Sequence, residues 1–148
     1  SKLGLLKETL MSQHAQAQFT VAAWDEQTWD GRTGRDVTGA KLTRAQVRYT
    51  YQGTITGEGT VQYLMAYRDN GSANFVGLEQ IVGSIAGRAG SFVLQHTGSY
   101  DKQTITGSVV VLPGSGTGEL LGLRGEGRLE LPAGQQPPFA FALEYTFE

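Results

Sequence analysis

The chain has 148 residues, one domain's worth at about 100–200 residues per domain and enough to enclose one sizeable core. Its net charge of -2 supplies no global field that would favour nucleic acid or an anionic membrane surface. With no cysteine there is no disulfide, thiolate metal site or cysteine nucleophile, and 21 glycines without collagen periodicity point to many tight turns and bulges.

The chain opens with "SKLGLLKETLMSQH", which carries leucines at 3, 5, 6 and 10 but neither the long apolar core nor the cleavage site of a signal peptide. Met11 fits a start preceded by an appended tag as well as the stretch fits a short surface helix. Residues 1–14 are therefore set aside as an N-terminal arm, and 15–148 are read as the single domain. No apolar run approaches the ~20 residues of a membrane helix, so no membrane partner is expected. Cysteine usage leaves the compartment open, and a cytoplasmic location is the default expectation.

From about residue 16 the hydrophobic period is two. "QAQFTVAAW" alternates through Phe19, Val21 and Ala23. The next 17 residues, 25–41, make a connection long enough to be read as a lid. Arg32, Arg35, Lys41, Arg44 and Arg48 gather along and after it. A solvated basic face is one reading, and an anion contact by Arg44 at a barrel mouth is the sharper one. "RAQVRYTY" sets Val47, Tyr49 and Tyr51 against Gln46, Arg48 and Thr50. "TVQYLMAY" continues with Val61, Tyr63, Met65 and Tyr67. "ANFVGLEQIVG" is apolar on both tracks and predicts a strand covered on both faces. "GSFVLQHTGSY" and "TITGSVVVL" follow. In "LLGLRGEGRLEL", Leu121, Leu123, Leu129 and Leu131 are expected on one face and Arg124, Glu126, Arg128 and Glu130 on the other. "FAFALEYTF" closes the chain with Phe139, Phe141, Leu143, Tyr145 and Phe147 on one track.

That makes about eight strands, joined by turn chemistry at Asp69-Asn70-Gly71, Gly87–Gly90, Asp101-Lys102, Pro113–Gly116 and Pro132–Gly134. Short links pair consecutive strands antiparallel. The expected fold is all-β, a single eight-stranded antiparallel up-and-down β-barrel of lipocalin-like calyx form, in which closure removes exposed edges. A β-sandwich is the alternative.

Two glycine-rich stretches imitate nucleotide loops and fail. "PGSGTGEL" has no lysine and no helix after it, and "GLRGEG" is followed by no helix either. The first reads as a turn whose glycines supply positive φ, the second as strand positions where a neighbour approaches closely. The histidines are His14 and His96 alone, so a tetrahedral metal site would need carboxylates almost by themselves. Neither a metal nor a cofactor is expected.

The chemically distinctive pair is Glu79 and His96. Glu79 is flanked by apolar residues, and His96 stands where its strand's pattern asks for a hydrophobe. A hairpin closed over residues 83–90 makes them near-opposite neighbours, with Cβ atoms about 5 Å apart. Such a pair can share a proton and act as general acid and base in an apolar lumen. It can equally be a self-satisfied buried pair that pins the register. Tyr49, Tyr63, Met65, Tyr67, Phe75, Phe92, Tyr100 and Tyr145 all fall on apolar tracks. An eight-stranded barrel can be filled by side chains or hold one small molecule, and tyrosine hydroxyls in a lumen need partners.

The segments "FTVAAWDEQ", "GSANFVGLEQIVGSIAGRAGSFVLQHTGSYD" and "VVLPGSGTGELLGLRGEG" together resemble the bacterial domain of unknown function 3224 family, over about residues 16–148. The resemblance implies an allene-oxide-cyclase-like barrel, a small eight-stranded antiparallel barrel with an apolar cavity. Trp24, Arg44, Glu79 and His96 fall in the family's recurring motifs. By fold-level analogy with cyclases that steer a reactive lipid epoxide inside such a barrel, the first expectation is a cofactor-independent isomerase, cyclase or lyase. Glu79 and His96 would transfer the proton. Tyr49, Tyr63, Met65, Tyr67, Phe75, Phe92 and Tyr145 would wall the pocket, while Trp24, Arg44 and the 25–41 connection would sit at its mouth. The expected partner is a small hydrophobic molecule, and a homo-oligomer packed through outer barrel faces is compatible with the pattern. The alternative is a carrier or sensor that binds the same molecule without turnover.

Overall fold

The structure is a computed structural model and describes residues 12–148. Residues 1–11 of the N-terminal arm lie outside the described residues, whereas Gln13 and His14 already belong to the first strand. Eight strands run in chain order around a closed antiparallel barrel: β1 (Gln13–Thr28), β2 (Lys41–Gly53), β3 (Ile55–Tyr67), β4 (Ala73–Ile85), β5 (Arg88–Tyr100), β6 (Thr104–Val111), β7 (Leu123–Pro132) and β8 (Phe139–Phe147). Every strand pairs with its sequence neighbours, and β8 closes onto β1 through Ala17↔Phe141 and Phe19↔Phe139. The sandwich alternative is thereby excluded. Among the described residues no helix is long and apolar enough to cross a membrane.

The period-two pattern makes the barrel because one track of each strand goes inward. In β2, Thr43, Ala45, Val47 and Tyr51 are buried while Leu42, Arg44, Gln46 and Arg48 are exposed. Strand β1 breaks this rule once. Its pairing steps from Val21↔Tyr49 to Ala23↔Arg48, so Ala22 is an extra residue. A bulge shifts parity, and the inward track moves from Phe19 and Val21 to Trp24, Glu26 and Thr28, which face Val47, Ala45 and Thr43.

Turns set the register. Ala86 and Gly87 both take positive φ, 50° and 82°, as a two-residue hairpin with the strand twist requires. This turn lies earlier than the expected Gly87–Gly90, because Arg88-Ala89-Gly90 already pair with Ser84 and its neighbours. The β1–β2 connection is also shorter than the expected 25–41, since β1 continues to Thr28. A 3-10 turn at Gly34–Asp36 folds it back, and the Lys41 ammonium donates to the carbonyls of Gly34 and Val37 at 2.6 and 2.8 Å.

The two ends of the barrel differ. At the end carrying the β4–β5 turn, Ile55, Ile81, Ile85, Phe92 and Leu94 pack into a filled core. Leu120, from a 3-10 turn at Gly118–Leu120 in the β6–β7 connection, plugs that end. It takes the place expected for Leu121, which is 72% exposed. The outer track of β4 is another correction. Val76, Leu78 and Val82 stand about half exposed, so within the chain this strand is covered on its inner face only.

Candidate active site

The opposite end of the barrel holds an apolar cavity of about 370 Å³. Phe19 and Trp24 from β1, Tyr49 from β2 and Tyr63 and Tyr67 from β3 form one wall. Phe75, Tyr100, Ile105, Leu131 and Phe139 form the other, with His96 between the walls. Residues Pro132–Gln135 border the mouth. No residue of the 25–41 connection lines it, so the expected lid is not there and the β7–β8 connection takes that place.

Glycine makes room for this lumen at defined points. A Cβ on Gly77 would come within 2.7 Å of the Tyr63 ring, and one on Gly98 would strike the Phe75 ring. A Cβ on Gly59 would fall on the Glu79 carboxylate and 3.0 Å from the Tyr51 ring. These positions are where β3, β4 and β5 give up a side chain so that a neighbouring large one can turn inward.

Glu79 and His96 meet. The register pairs Gly77 with His96 and Glu79 with Leu94, so the two are diagonal inward neighbours rather than directly opposed. The diagonal is bridged by long side chains, and His96 Nε2 lies 2.7 Å from Glu79 Oε1. The Tyr51 hydroxyl donates to Glu79 Oε2 at 2.5 Å. Glu79 is fully buried and His96 is 5% exposed. His96 borders the cavity and Glu79 does not, so the carboxylate stands behind the imidazole. With Nε2–H donated to the carboxylate, Nδ1 keeps its lone pair for proton exchange. The Tyr63 ring meets the imidazole edge to face at 5.4 Å, which fixes the ring plane.

A hydroxyl pair lies beside this dyad. Tyr49 and Tyr63 share a hydrogen bond at 3.0 Å. Burial pushes the Tyr49 phenol up to about 12, against a smaller lowering by its bond to Tyr63. Burial also drives the Tyr63 phenol well above its ordinary value, with the nearby Tyr49 adding to it. The Tyr51 phenol is raised by burial and then by the Glu79 charge. All three therefore stay protonated at neutral pH and serve as donors.

The other expected residues separate cleanly. Trp24, Tyr49, Tyr63, Met65, Tyr67 and Phe75 border the cavity. Arg44 does not: it is on the outward track of β2, exposed, opposite Leu64. Phe92 is buried in the filled half, because its position opposite Ile81 lies beyond Glu79 from the cavity. Tyr145 also belongs to that half, packed on Phe147, with its hydroxyl donating to Gln13 at 3.0 Å. His14 lies on the outer face 3.5 Å from Glu144. Among the described residues no group of three or more metal-ligating side chains occurs.

Two further residues belong to the site, and alternation does not report their place in it. Tyr51 falls on an apolar track, but only the register shows that it reaches Glu79. Glu26 lies past the bulge, which turns it inward. Its Oε2 accepts from the hydroxyls of Thr43 and Tyr67, each at 2.7 Å, and its Oε1 accepts from the Trp24 indole N–H at 3.1 Å.

The model of a family described as "Protein of unknown function (DUF3224)" matches residues 15–145. A crystal structure of a protein with unknown function from that family, from Shewanella oneidensis MR-1, is similar over 93% of this chain and 98% of that one. The two share 31% identity, and the TM-score is 0.74. No curated protein matches the chain.

Proposed function

The chain belongs to the DUF3224 family of proteins of unknown function, and we propose that its barrel catalyses cofactor-independent proton transfer on a small apolar carbon acid, as an isomerase, cyclase or lyase. One observation carries the reading. The imidazole that borders an apolar, aromatic-walled cavity is backed by a fully buried carboxylate at its Nε2. Such an arrangement orients a general base and stabilises the imidazolium it becomes.

The step balances within the pocket. His96 Nδ1 takes the proton from the carbon, and the electron pair of the broken C–H bond moves toward an electronegative atom of the substrate. The Tyr49–Tyr63 hydroxyl pair donates to the oxygen on which charge develops. Return of the proton to a different carbon completes an isomerisation, and loss of a leaving group completes an elimination. Glu79 touches no substrate in this scheme and acts as a positioning residue.

A nitrobenzisoxazole tests it. Removal of the proton on its isoxazole C3 breaks the N–O bond and opens that ring to a nitrile and a coloured phenolate, with no co-reactant. The wild type should accelerate this beyond free imidazole at equal concentration. His96→Ala should lose about 100-fold or more, the usual contribution of a general base, and Glu79→Gln about 10-fold. Binding of a neutral apolar dye should stay within about threefold in both variants. Full activity in His96→Ala would sink the proposal. Dye binding without turnover in the wild type would favour the carrier, whose one support is the apolar aromatic wall itself.

A further inference from the structure

A second carboxylate, which the proton-transfer scheme does not use, stands behind two residues of the cavity wall without bordering the cavity itself. Glu26 is tied to three side chains on three strands: Trp24 on its own strand β1, Thr43 on β2 and Tyr67 on β3. Two of these, Trp24 and Tyr67, border the cavity. Their polar side-chain atoms are turned to Glu26, which leaves the carbon frames of the two rings to the cavity. Gly34 is buried against the Glu26 side chain from the outer side, where a Cβ would lie 3.1 Å from its Cγ.

The charges around this rim are unequal in reach. Among the described residues no ion pair includes Glu26. Lys41 is also beside Tyr67, with its ammonium 4.8 Å from the ring centroid, but its bonds go to the carbonyls of Gly34 and Val37. Arg32 is paired with Asp30 outside the cavity. At the floor, the imidazole is paired with Glu79. Among the described residues no arginine or lysine borders the cavity. An anion entering it would lose its hydration and meet a wall of aromatic and aliphatic carbon with no arginine or lysine among its described residues.

We propose that Glu26 sets the charge selectivity of the cavity, anchoring the Trp24 and Tyr67 side chains in its wall and repelling anions there, so that the ligand is an uncharged apolar molecule. The proposal rests on the reading of the cavity as a ligand site and adds the class of ligand. It works by rejection as much as by attraction, since a like charge near the entrance discriminates against an otherwise well-fitting molecule.

The test uses two fluorescent probes of the same ring system, N-phenylnaphthylamine and its sulfonated counterpart. In the wild type the neutral dye should bind on the order of tenfold tighter or more than the sulfonate. Glu26→Gln keeps the shape and removes the charge, and should bring the two dyes within about threefold. Tyr67→Phe removes one donor and keeps the charge, and should leave the ratio within about twofold of wild type. A merely structural Glu26 would weaken both dyes together and leave their ratio alone, which would overturn the proposal. Equal binding of both dyes by the wild type would overturn it too while leaving the proton-transfer reading to its own turnover test. Binding of neither dye would overturn this proposal and the ligand-site reading together.

Discussion

The two halves of this barrel are built from the same eight strands and the same inward track, yet one is solid and the other hollow. The solid half uses branched aliphatics, Ile55, Ile81, Ile85, Leu94 and Leu120, which interdigitate without leaving a ligand-sized space. The hollow half uses large flat rings and glycines in alternation, Tyr63 beside Gly77 and Phe75 beside Gly98. Rings also pack the solid half, Phe92 and Phe141 among them, so what sets the hollow half apart is the glycine beside each inward ring and a hydroxyl pair, Tyr49 with Tyr63, turned into it. Glu79 and its partners lie at the junction. The lesson is that the inward track of a barrel carries two designs in series, and the polar group marks where one ends.

The comparison breaks most severely at that junction. Glu79→Ala leaves the Tyr51 hydroxyl and the His96 imidazole without their shared acceptor in a buried site. Removing one partner of a buried pair should cost about 3–5 kcal/mol, measured by urea unfolding. A loss under about 1 kcal/mol would show that the junction is wet and that the two halves are not separated there. Glu79→Gln keeps an acceptor and a donor and should lose much less.

Leu120→Ala tests the solid half alone. Its side chain is fully buried, and truncation should cost about 2–4 kcal/mol by lost burial and cavity formation. Dye binding at the other end should be unchanged. If Leu120→Ala abolished dye binding while the barrel stayed folded, the halves would be mechanically one.

How far the two halves were legible in the sequence follows the same division. Strict alternation named the strands, and turn residues placed most of the hairpins. The barrel, the meander order and the Glu79–His96 meeting were therefore readable from period and link length. What alternation cannot report is depth along the barrel axis. Phe92 and Phe75 have the same inward parity, and only the register shows that one lies below Glu79 and the other above it. Tyr145 was misplaced for the same reason. Parity itself failed at Ala22, where one inserted residue turned Glu26 inward. Charge alone does not bring Arg44 to the mouth, because its position in β2 points it outward. Leu121, expected on the inward face, is exposed, because the 3-10 turn before it has no two-residue period.

The hollow half should also fail first at alkaline pH. Tyr49 has its phenol pushed up to about 12 by burial, against an ordinary value near 10. A group whose folded value is raised contributes stability that is intact below pH ~10 and lost as pH climbs through ~12. Its share of that loss at pH 12 is about 2 kcal/mol, and Tyr51, Tyr63 and Tyr67 shift in the same direction. Absorbance of tyrosinate should therefore rise together with unfolding rather than ahead of it. Tyr49→Phe should flatten the pH dependence of stability between pH ~10 and ~12. Ionisation of these phenols in a barrel that remains folded would mean the hollow half is filled with water.

The smallest effect is expected at the rim. Tyr67→Phe removes one hydroxyl from Glu26, whose Oε2 keeps its bond to Thr43 and whose Oε1 keeps the Trp24 N–H. Tyr67 is only half-buried, so a water can take the place of its hydroxyl, and the change should cost about 1 kcal/mol or less. Thermal unfolding measures that. Trp24 fluorescence reports the consequence for the mouth, since the indole shares the carboxylate with Tyr67. An unchanged Trp24 spectrum with a small stability loss would mean that Glu26 holds the two rings independently. A shifted spectrum would mean that they move as one unit, and the rim would then be a single hydrogen-bonded assembly.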